Sequence, residues 1–212
     1  MTDRLNKIFN AIPKCEHFAD VGCDHGYIAM AMLASKKCER VTVSDISAKC
    51  LMKAEELLKD YIACGKAFSV VSDGLKQVPE CDTVLIAGMG GQEICQILNS
   101  APFLPKTLVL QPMKNCDKVR ITCIQKGYRF VSDCMFFSAG KYYDLMVLVK
   151  GQDVLTEQEI KYGRDNVNGK SADFKKMMRE KKEKILGYLE RNLKEQQRQE
   201  FIEQLKGIEK YV

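Results

Sequence analysis

Two glycines and two aspartates fall within seven positions, where a short apolar run passes into a helical pattern, in residues 19–27. Glycine at positions 22 and 26 permits positive φ and lets a ligand come close to the main chain. The spacing is Gly-x-x-x-Gly, whereas a dinucleotide-binding turn has Gly-x-Gly-x-x-Gly and receives a pyrophosphate at the helix N-terminus. The carboxylates of Asp20 and Asp24 would repel that pyrophosphate. We therefore expect this turn to bind a cationic ligand that carries no phosphate.

S-Adenosyl-L-methionine meets this requirement because it has a sulfonium and an ammonium group, which acidic side chains attract, and no phosphate. His25 is the one candidate here that titrates near neutral pH, although packing, or a hydrogen bond to the loop backbone, explains it slightly better. The sequence thus predicts an S-adenosyl-L-methionine site, to which this turn contributes Asp20, Gly22, Asp24, His25 and Gly26.

Short β-rich runs alternate with helical runs along most of the chain. The runs at 83–87 and 107–110 are apolar throughout, as in strands that helices cover on both faces. Two strand-like runs, 128–137 and 142–149, are too close for a crossover helix between them and should form an antiparallel hairpin. The expected fold class is therefore α/β, and a Rossmann-like parallel sheet that ends in an antiparallel hairpin resembles the class I methyltransferase fold. Strands are predicted at 17–22, 39–45, 67–73, 81–87 and 107–111, and helices at about 26–35, 47–64, 91–99 and 115–126.

Acidic residues and glycines follow several predicted strands, at the edge where open α/β sheets bind ligands. Asp45 lies 19 residues after Gly26, where an acid can accept hydrogen bonds from ribose hydroxyls; a helix N-cap is the alternative. Asp73 can accept a hydrogen bond from the amino group of an adenine, although an Asp-Gly pair more often forms a plain turn. The cofactor-binding residues predicted from these strand ends are Asp45, Ile46, Asp73, Gly74, Gly88 and Met89.

Gln111 and Pro112 close a further strand. An amide and a backbone carbonyl at such a turn can hold the exocyclic amine of a base, as the Asn/Asp-Pro-Pro-aromatic turn of amino-directed methyltransferases does. A lone Gln-Pro pair is more often the start of a loop. We take Gln111, Pro112 and Asp24 as catalytic candidates, with Asp24 either balancing positive charge on the base or helping to remove its N6 proton. Tyr27 is the candidate to stack on the target base or the donor.

Both ends of the chain show amphipathic helices. The first is capped by Thr2 or Asp3 and covers the core. After Gly151 the chain becomes polar and helical, with residues 166–170 as the predicted joint and Ser171 as a cap for a long helix. Its apolar stripe consists of Phe174, Met177, Met178, Ile185, Leu189, Leu193, Phe201, Leu205 and Ile208.

The predicted domains are residues 1–151, which bind the cofactor, and residues 152–212, a small helical domain. Interleaved basic residues in the second domain slightly favour a partner-binding role over a dimerising or supporting helical hairpin. The substrate-binding candidates there are Lys175, Lys176 and Arg179.

The composition excludes several classes of protein. The 212 residues are 46% hydrophobic and have a net charge of +5, which is too small to establish a nucleic-acid partner. The ten cysteines lie at least seven positions apart, without Cys-x-x-Cys, so we expect neither zinc nor another metal. No signal peptide or membrane-spanning stretch is visible, so we expect a cytoplasmic protein with free thiols and no membrane association. The oligomeric state stays open, with a monomer slightly favoured.

Three segments taken together resemble the bacterial tRNA (adenine(22)-N1)-methyltransferase family: residues 19–27, 86–91 and 110–112. They read Ala-Asp-Val-Gly-Cys-Asp-His-Gly-Tyr, Ile-Ala-Gly-Met-Gly-Gly and Leu-Gln-Pro. The resemblance spans about the whole chain. It implies S-adenosyl-L-methionine as donor, N1 of adenine 22 in the D-arm region of tRNA as acceptor, and a coiled-coil-like C-terminal domain that helps to bind tRNA. Met113 stands where the family usually has Asn, and because Met has no amide group, no role is assigned to it.

Two other functions stay open at this point. One is a methyltransferase that acts on a small molecule or a protein, because the donor motif is much clearer than the acceptor motif. The other is a non-catalytic RNA-binding protein with a relict methyltransferase fold. The intact set Asp20, Gly22, Asp45, Gly88 and Gln111 argues against the relict.

Overall fold

The computed structural model describes residues 1–191 and 194–212. Strands and helices alternate as predicted, and each predicted element is present within a few residues of its expected bounds. The strands are β1 His17–Val21, β2 Arg40–Asp45, β3 Ala67–Val71, β4 Thr83–Ala87, β5 Thr107–Gln111, β6 Tyr128–Ser138 and β7 Lys141–Lys150. The helices are α1 Asp3–Ala11, α2 Tyr27–Ala34, α3 Ala48–Ala63, α4 Gly91–Ser100, α5 Cys116–Gln125, α6 Glu157–Tyr162, α7 Arg164–Gly169, α8 Ala172–Leu189 and α9 Glu195–Glu209. In this described part of the chain, no helix combines the length and the apolar character needed to cross a membrane.

Seven strands form one sheet in the order β3-β2-β1-β4-β5-β7-β6. The first five pair in parallel, and β7 pairs antiparallel with both β5 and β6. Strands β1, β4 and β5 are buried along nearly their whole length because helices cover both faces of the sheet. The strand order reverses between β1 and β4, so the carboxyl ends of these strands border the crevice where open α/β sheets bind ligands. The predicted Rossmann-like sheet with its terminal hairpin is confirmed.

Helix α1 closes one face of the sheet. The Thr2 hydroxyl accepts a hydrogen bond from the Leu5 backbone at 3.3 Å, which confirms the predicted cap. Ile8 and Ile12 are buried in the apolar core that α1 shares with α2, α3 and the hairpin. Because its apolar stripe is fixed on this core, the first turn of α1 is held beside the crevice.

Helices α8 and α9 pack around a core of their own, which includes Phe174, Met178, Ile185 and Ile208. The Ser171 hydroxyl accepts a hydrogen bond from Phe174 N at 3.2 Å and caps α8, as predicted. Leu193 of the predicted stripe lies outside the described residues. The helical C-terminal region is thus present, and its core includes Met135 and Tyr142 of the hairpin.

The predicted joint at residues 166–170 is mostly helical, because it contains the greater part of α7. Asn166 is fully buried. Its side-chain oxygen accepts from Met135 N at 3.0 Å, and its amide nitrogen donates to Tyr162 O at 2.6 Å. Asn favours turns in isolation, but here both ends of its amide find partners, one in the hairpin and one in α6, so it is accommodated within a helix.

Side chains from the C-terminal helices cover the outer edge of β6, which would otherwise present unpaired backbone groups. The buried guanidinium of Arg120 strengthens this junction, since it donates to Asp133 at 2.8–3.1 Å, to Asp144, and to Ile160 O at 3.2 Å. Hairpin, α5 and α6 are thereby joined by buried polar contacts. The edge hydrogen bonds run from Asp133 N to Asp165 at 2.8 Å, from Met135 N to Asn166 at 3.0 Å, and from Phe137 N to Asp173 at 3.0 Å.

Candidate active site

The turn between β1 and α2 has the backbone that its glycines predict. Gly22 and Gly26 have φ of +72° and +71°, and Asp24 lies between them at +50°. The Gly22 N–H donates to Ser44 O at 2.8 Å, which ties the turn to β2. A Cβ at Gly22 would overlap the methyl end of Met89. The turn therefore needs glycine at 22 both for its positive φ and for the close approach of another group to the main chain.

Two cavities adjoin at the carboxyl ends of the strands. The larger, of about 780 Å³, is lined by Asp45, Ile46, Asp73 and Gly74, together with residues of α4. The smaller, of about 490 Å³, is lined by the β1–α2 turn, the end of β4 and the start of α1. An elongated ligand that crosses the turn can enter both, since three residues line both cavities: Gly22, Asp45 and Met89.

Asp20 lines the smaller cavity from within β1 and is only 5% exposed. Burial raises its pKa to about 7; a hydrogen bond from the Ala29 backbone opposes the shift, and Asp45 adds to it. A carboxylate that has lost its water gains much from a cationic ligand. The position of Asp20 therefore fits the cationic end of a methyl donor.

Asp24, His25 and Tyr27 form a row along the same cavity. The Asp24 carboxylate and His25 Nδ1 are 2.8 Å apart, and the rings of His25 and Tyr27 are parallel within 5° at 5.4 Å. His25 is thus held locally, by a neighbouring carboxylate and not by the loop backbone. Tyr27 is 47% exposed, so its ring is accessible. Gly26 faces α3 and not the cavity, because a Cβ there would lie 3.0 Å from the Ala54 side chain.

Asp45 and Asp73 lie at neighbouring strand ends on the larger cavity. Asp45 Oδ1 accepts from Ser47 N at 2.9 Å, and it is Ser47 that caps α3. The residue that caps α3 is therefore Ser47 and not Asp45. Asp73 pairs with Lys76 at 2.6 Å on the surface. Both acids thus line the larger cavity, and their contacts with an adenosine stay a prediction.

The structure does not bring Gln111 and Pro112 to the surface of either cavity. Gln111 is fully buried, and Pro112 is buried beside it. The Gln111 amide nitrogen donates to Pro112 O at 3.1 Å, and its oxygen accepts from Arg4 Nε at 2.8 Å. Because these amide atoms are engaged within the protein, the contact of Gln111 with a substrate amine stays a prediction.

Arg4 lines the smaller cavity next to Thr2 and Leu5, and the sequence patterns did not single it out. The periodicity of α1 indicates only which side of the helix faces the core. Which polar residue of its first turn reaches the crevice depends on how α1 crosses the sheet. Burial lowers the pKa of the Arg4 guanidinium from its ordinary value, so the cation is partly desolvated there.

Lys175, Lys176 and Arg179 lie on α8, away from the cavities. The Lys176 ammonium lies 4.0 Å from the centroid of the Phe137 ring, which packs against Tyr142 at 4.9 Å. A basic helix face is thereby placed beside aromatic rings at the tip of the hairpin, a combination suited to RNA backbone and bases.

Fold and site together define a class I methyltransferase. A family model described as "Methyltransferase domain" matches residues 1–146. A protein of Mycoplasma pneumoniae named "Putative tRNA methyltransferase" is 30% identical over 177 residues, which cover 79% of this chain and 82% of that protein. The tRNA (adenine(22)-N(1))-methyltransferase of Bacillus subtilis is 24% identical over 156 residues, which cover 71% of this chain and 66% of that protein.

A solved structure supports the same assignment at the level of fold. The structure of M. capricolum TrmK in complex with S-adenosyl-homocysteine has a TM-score of 0.87 and 23% identity, and the match covers 100% of this chain and 97% of that one. The chain therefore belongs to the methyltransferase-domain family. Its predicted resemblance to the bacterial tRNA (adenine(22)-N1)-methyltransferases is confirmed.

Proposed function

We propose that this chain transfers a methyl group from S-adenosyl-L-methionine to N1 of adenine 22 in the D-arm region of tRNA. The observation that carries the proposal is the pair of cavities that adjoin at Gly22, where there is no side chain. Aspartate side chains line both cavities. The names of the relatives from M. pneumoniae and B. subtilis support tRNA as the acceptor. Since the substrate is tRNA, we place the activity in the cytoplasm.

The residues of the two cavities fit the donor part by part. When bound, S-adenosyl-L-methionine supplies a methyl group on a positively charged sulfur and leaves as S-adenosyl-L-homocysteine. Asp20 and Asp24 attract the cationic end, while Asp45 accepts hydrogen bonds from the ribose hydroxyls. Asp73 and Gly74 border the space for the adenine ring. The carboxylates of the turn itself, Asp20 and Asp24, would repel a phosphate.

The methyl transfer itself asks little of the side chains. Adenine N1 carries a lone pair, so the protein acts chiefly by holding N1 in line with the methyl group. N1 lies on the base-pairing edge, and the target must therefore be unpaired or extruded before it enters the cavity. Tyr27 offers an accessible ring for stacking, and Asp24, paired with His25, balances the positive charge that develops on the base.

The C-terminal helices contribute affinity for RNA. Lys175, Lys176 and Arg179 project from one helix, α8, and neutralise phosphates. Their position beside the aromatic tip of the hairpin supports an RNA-binding surface formed by α8 and the hairpin tip. Shape and backbone contacts of this kind locate a structured RNA without reading its sequence.

The experiment that tests the acceptor compares two tRNA transcripts, one unmodified and one with guanine in place of adenine 22. Each is incubated with the protein and labelled donor, digested, and examined for methylated nucleosides by mass spectrometry. We expect 1-methyladenosine from the first transcript only. Equal methylation of both would refute the position. Methylated product formed without RNA would favour a small-molecule or protein substrate. Failure to bind the donor would favour a non-catalytic RNA-binding protein with a relict methyltransferase fold.

A further inference from the structure

We propose that Arg4 binds the α-carboxylate at the methionine end of the donor and so makes the site discriminate against donors that lack this group. The inference rests on S-adenosyl-L-methionine being the donor, as proposed above, and does not depend on the acceptor. Arg4 would thus be a specificity-determining residue contributed by α1.

Most of the charged side chains that line the smaller cavity are acidic. Asp20, Asp24 and Asp45 line it, and among the described lining residues Arg4 is the one with a permanent positive charge. These acids suit the sulfonium and the ammonium of the donor, but they repel its carboxylate. Among the side chains that line this cavity, Arg4 is therefore the cationic partner that the donor carboxylate can take.

Arg4 has hydrogen-bond donors to spare. Its Nε and Nη2 both donate to one neutral acceptor, Gln111 Oε1, and its guanidinium lies 5.4 Å from the centre of the Tyr143 ring. A guanidinium has five N–H groups, so these two hydrogen bonds leave three, including both on Nη1.

The partners of Arg4 are neutral. The ion pairs found within residues 1–191 and 194–212 do not include it. A half-buried cation whose direct hydrogen-bond partner is neutral is incompletely compensated, and an anion bound against it would compensate it. The carboxylate of an amino acid is an anion of the right shape for the two-pronged guanidinium.

The surrounding residues fix the guanidinium in place. Because the Gln111 amide nitrogen donates to Pro112 O at 3.1 Å, the amide oxygen is the atom turned toward Arg4. A Cβ at Gly88 would lie 3.0 Å from Arg4 Nη2, so glycine leaves the room that the guanidinium occupies. Buried Gln111 therefore acts as a positioning residue, because its hydrogen bonds orient Arg4.

The test is calorimetric binding of S-adenosyl-L-methionine and of its decarboxylated analogue to the full chain. We expect the wild-type protein to bind S-adenosyl-L-methionine about 10- to 100-fold more tightly than the analogue, as a charge-assisted pair would give. In Arg4→Ala and in Arg4→Gln, which keeps a longer side chain against Tyr143, the preference should fall to near one. The loss should come from weaker binding of S-adenosyl-L-methionine, with the analogue unchanged.

Lys7→Ala is the matched control, because Lys7 is on the same helix with its ammonium 5.2 Å from the Phe136 ring centre, outside the cavity lining. It should keep the wild-type preference. A wild-type ratio in either Arg4 variant overturns the proposal, and so does an equal loss for both donors, which would indicate a structural role. If the Arg4→Ala protein is unfolded at room temperature, the preference measured for Arg4→Gln tests the proposal. The measurement contains no RNA, so a protein that discriminates between donors but leaves tRNA unmethylated refutes only the proposed acceptor.

Discussion

Replacing Asp20 by Asn should make the protein without ligand more stable, increasingly so as the pH rises. Burial raises the pKa of Asp20 from its ordinary value of 3.8 to about 7. The folded protein therefore keeps this proton up to about pH 7, whereas the unfolded chain loses it near pH 4. Stability is fully present below the unfolded pKa and is lost as the pH rises through the folded one. About three pH units at about 1.4 kcal/mol each give a loss of about 4 kcal/mol.

Urea unfolding at pH 5, 6, 7 and 8 measures this effect. Asn cannot ionise, so the free energy of unfolding of Asp20→Asn minus that of wild type should increase by about 3 kcal/mol between pH 5 and 8. Asp24→Asn is the control, because Asp24 lies four residues away on the same turn but its side chain is 66% exposed, so it lacks the burial on which the expected gain depends. Parallel curves for Asp20→Asn and wild type would refute the reasoning that burial dominates at Asp20.

Two further substitutions separate the donor site from the RNA-binding surface. Asp45→Asn keeps the acceptor that holds Ser47 but loses the charge, and we expect donor binding to weaken about 10-fold in calorimetry; unchanged affinity would reduce Asp45 to a turn residue. Replacing Lys175, Lys176 and Arg179 together by Gln should weaken tRNA binding and lower its logarithmic salt slope by about 2, with donor affinity intact. An unchanged tRNA dissociation constant would remove α8 from the binding surface. The control replaces three exposed lysines of α3, near the opposite edge of the sheet: Lys49, Lys53 and Lys59.

Several features of the site followed from the sequence because they depend on neighbours along the chain. The glycines of the β1–α2 turn indicated positive φ, and Gly22 and Gly26 have it. The uniformly apolar runs of β4 and β5 indicated strands covered on both faces, and the short connection at 138–141 indicated a hairpin. Asp45 fell at a strand end, and parallel strands bring their carboxyl ends to one edge.

The sequence showed less about the residues on either side of the joint to the C-terminal helices. Asn166, predicted as part of the joint, lies in α7, where its amide oxygen accepts from Met135 N of β6 and its amide nitrogen donates to Tyr162 O of α6. No local pattern contains that information, since Met135 is 31 positions away. The contact of Lys176 with Phe137 was likewise not predictable from the sequence, because it depends on how α8 lies on the hairpin.

Tertiary structure alone decided the chemical state and the direction of the polar side chains at the site. Asp20 and Asp24 are the same residue type in one turn, yet only Asp20 is buried, and this burial raises the pKa of Asp20 to about 7. Gln111 has the residue type expected to contact a substrate, but it is turned inward to Arg4, 107 positions earlier in the chain. Backbone turns and apolar periodicity are local and can be read from a sequence. The burial of a carboxylate and the partner of an amide are set by segments that meet only in the folded protein.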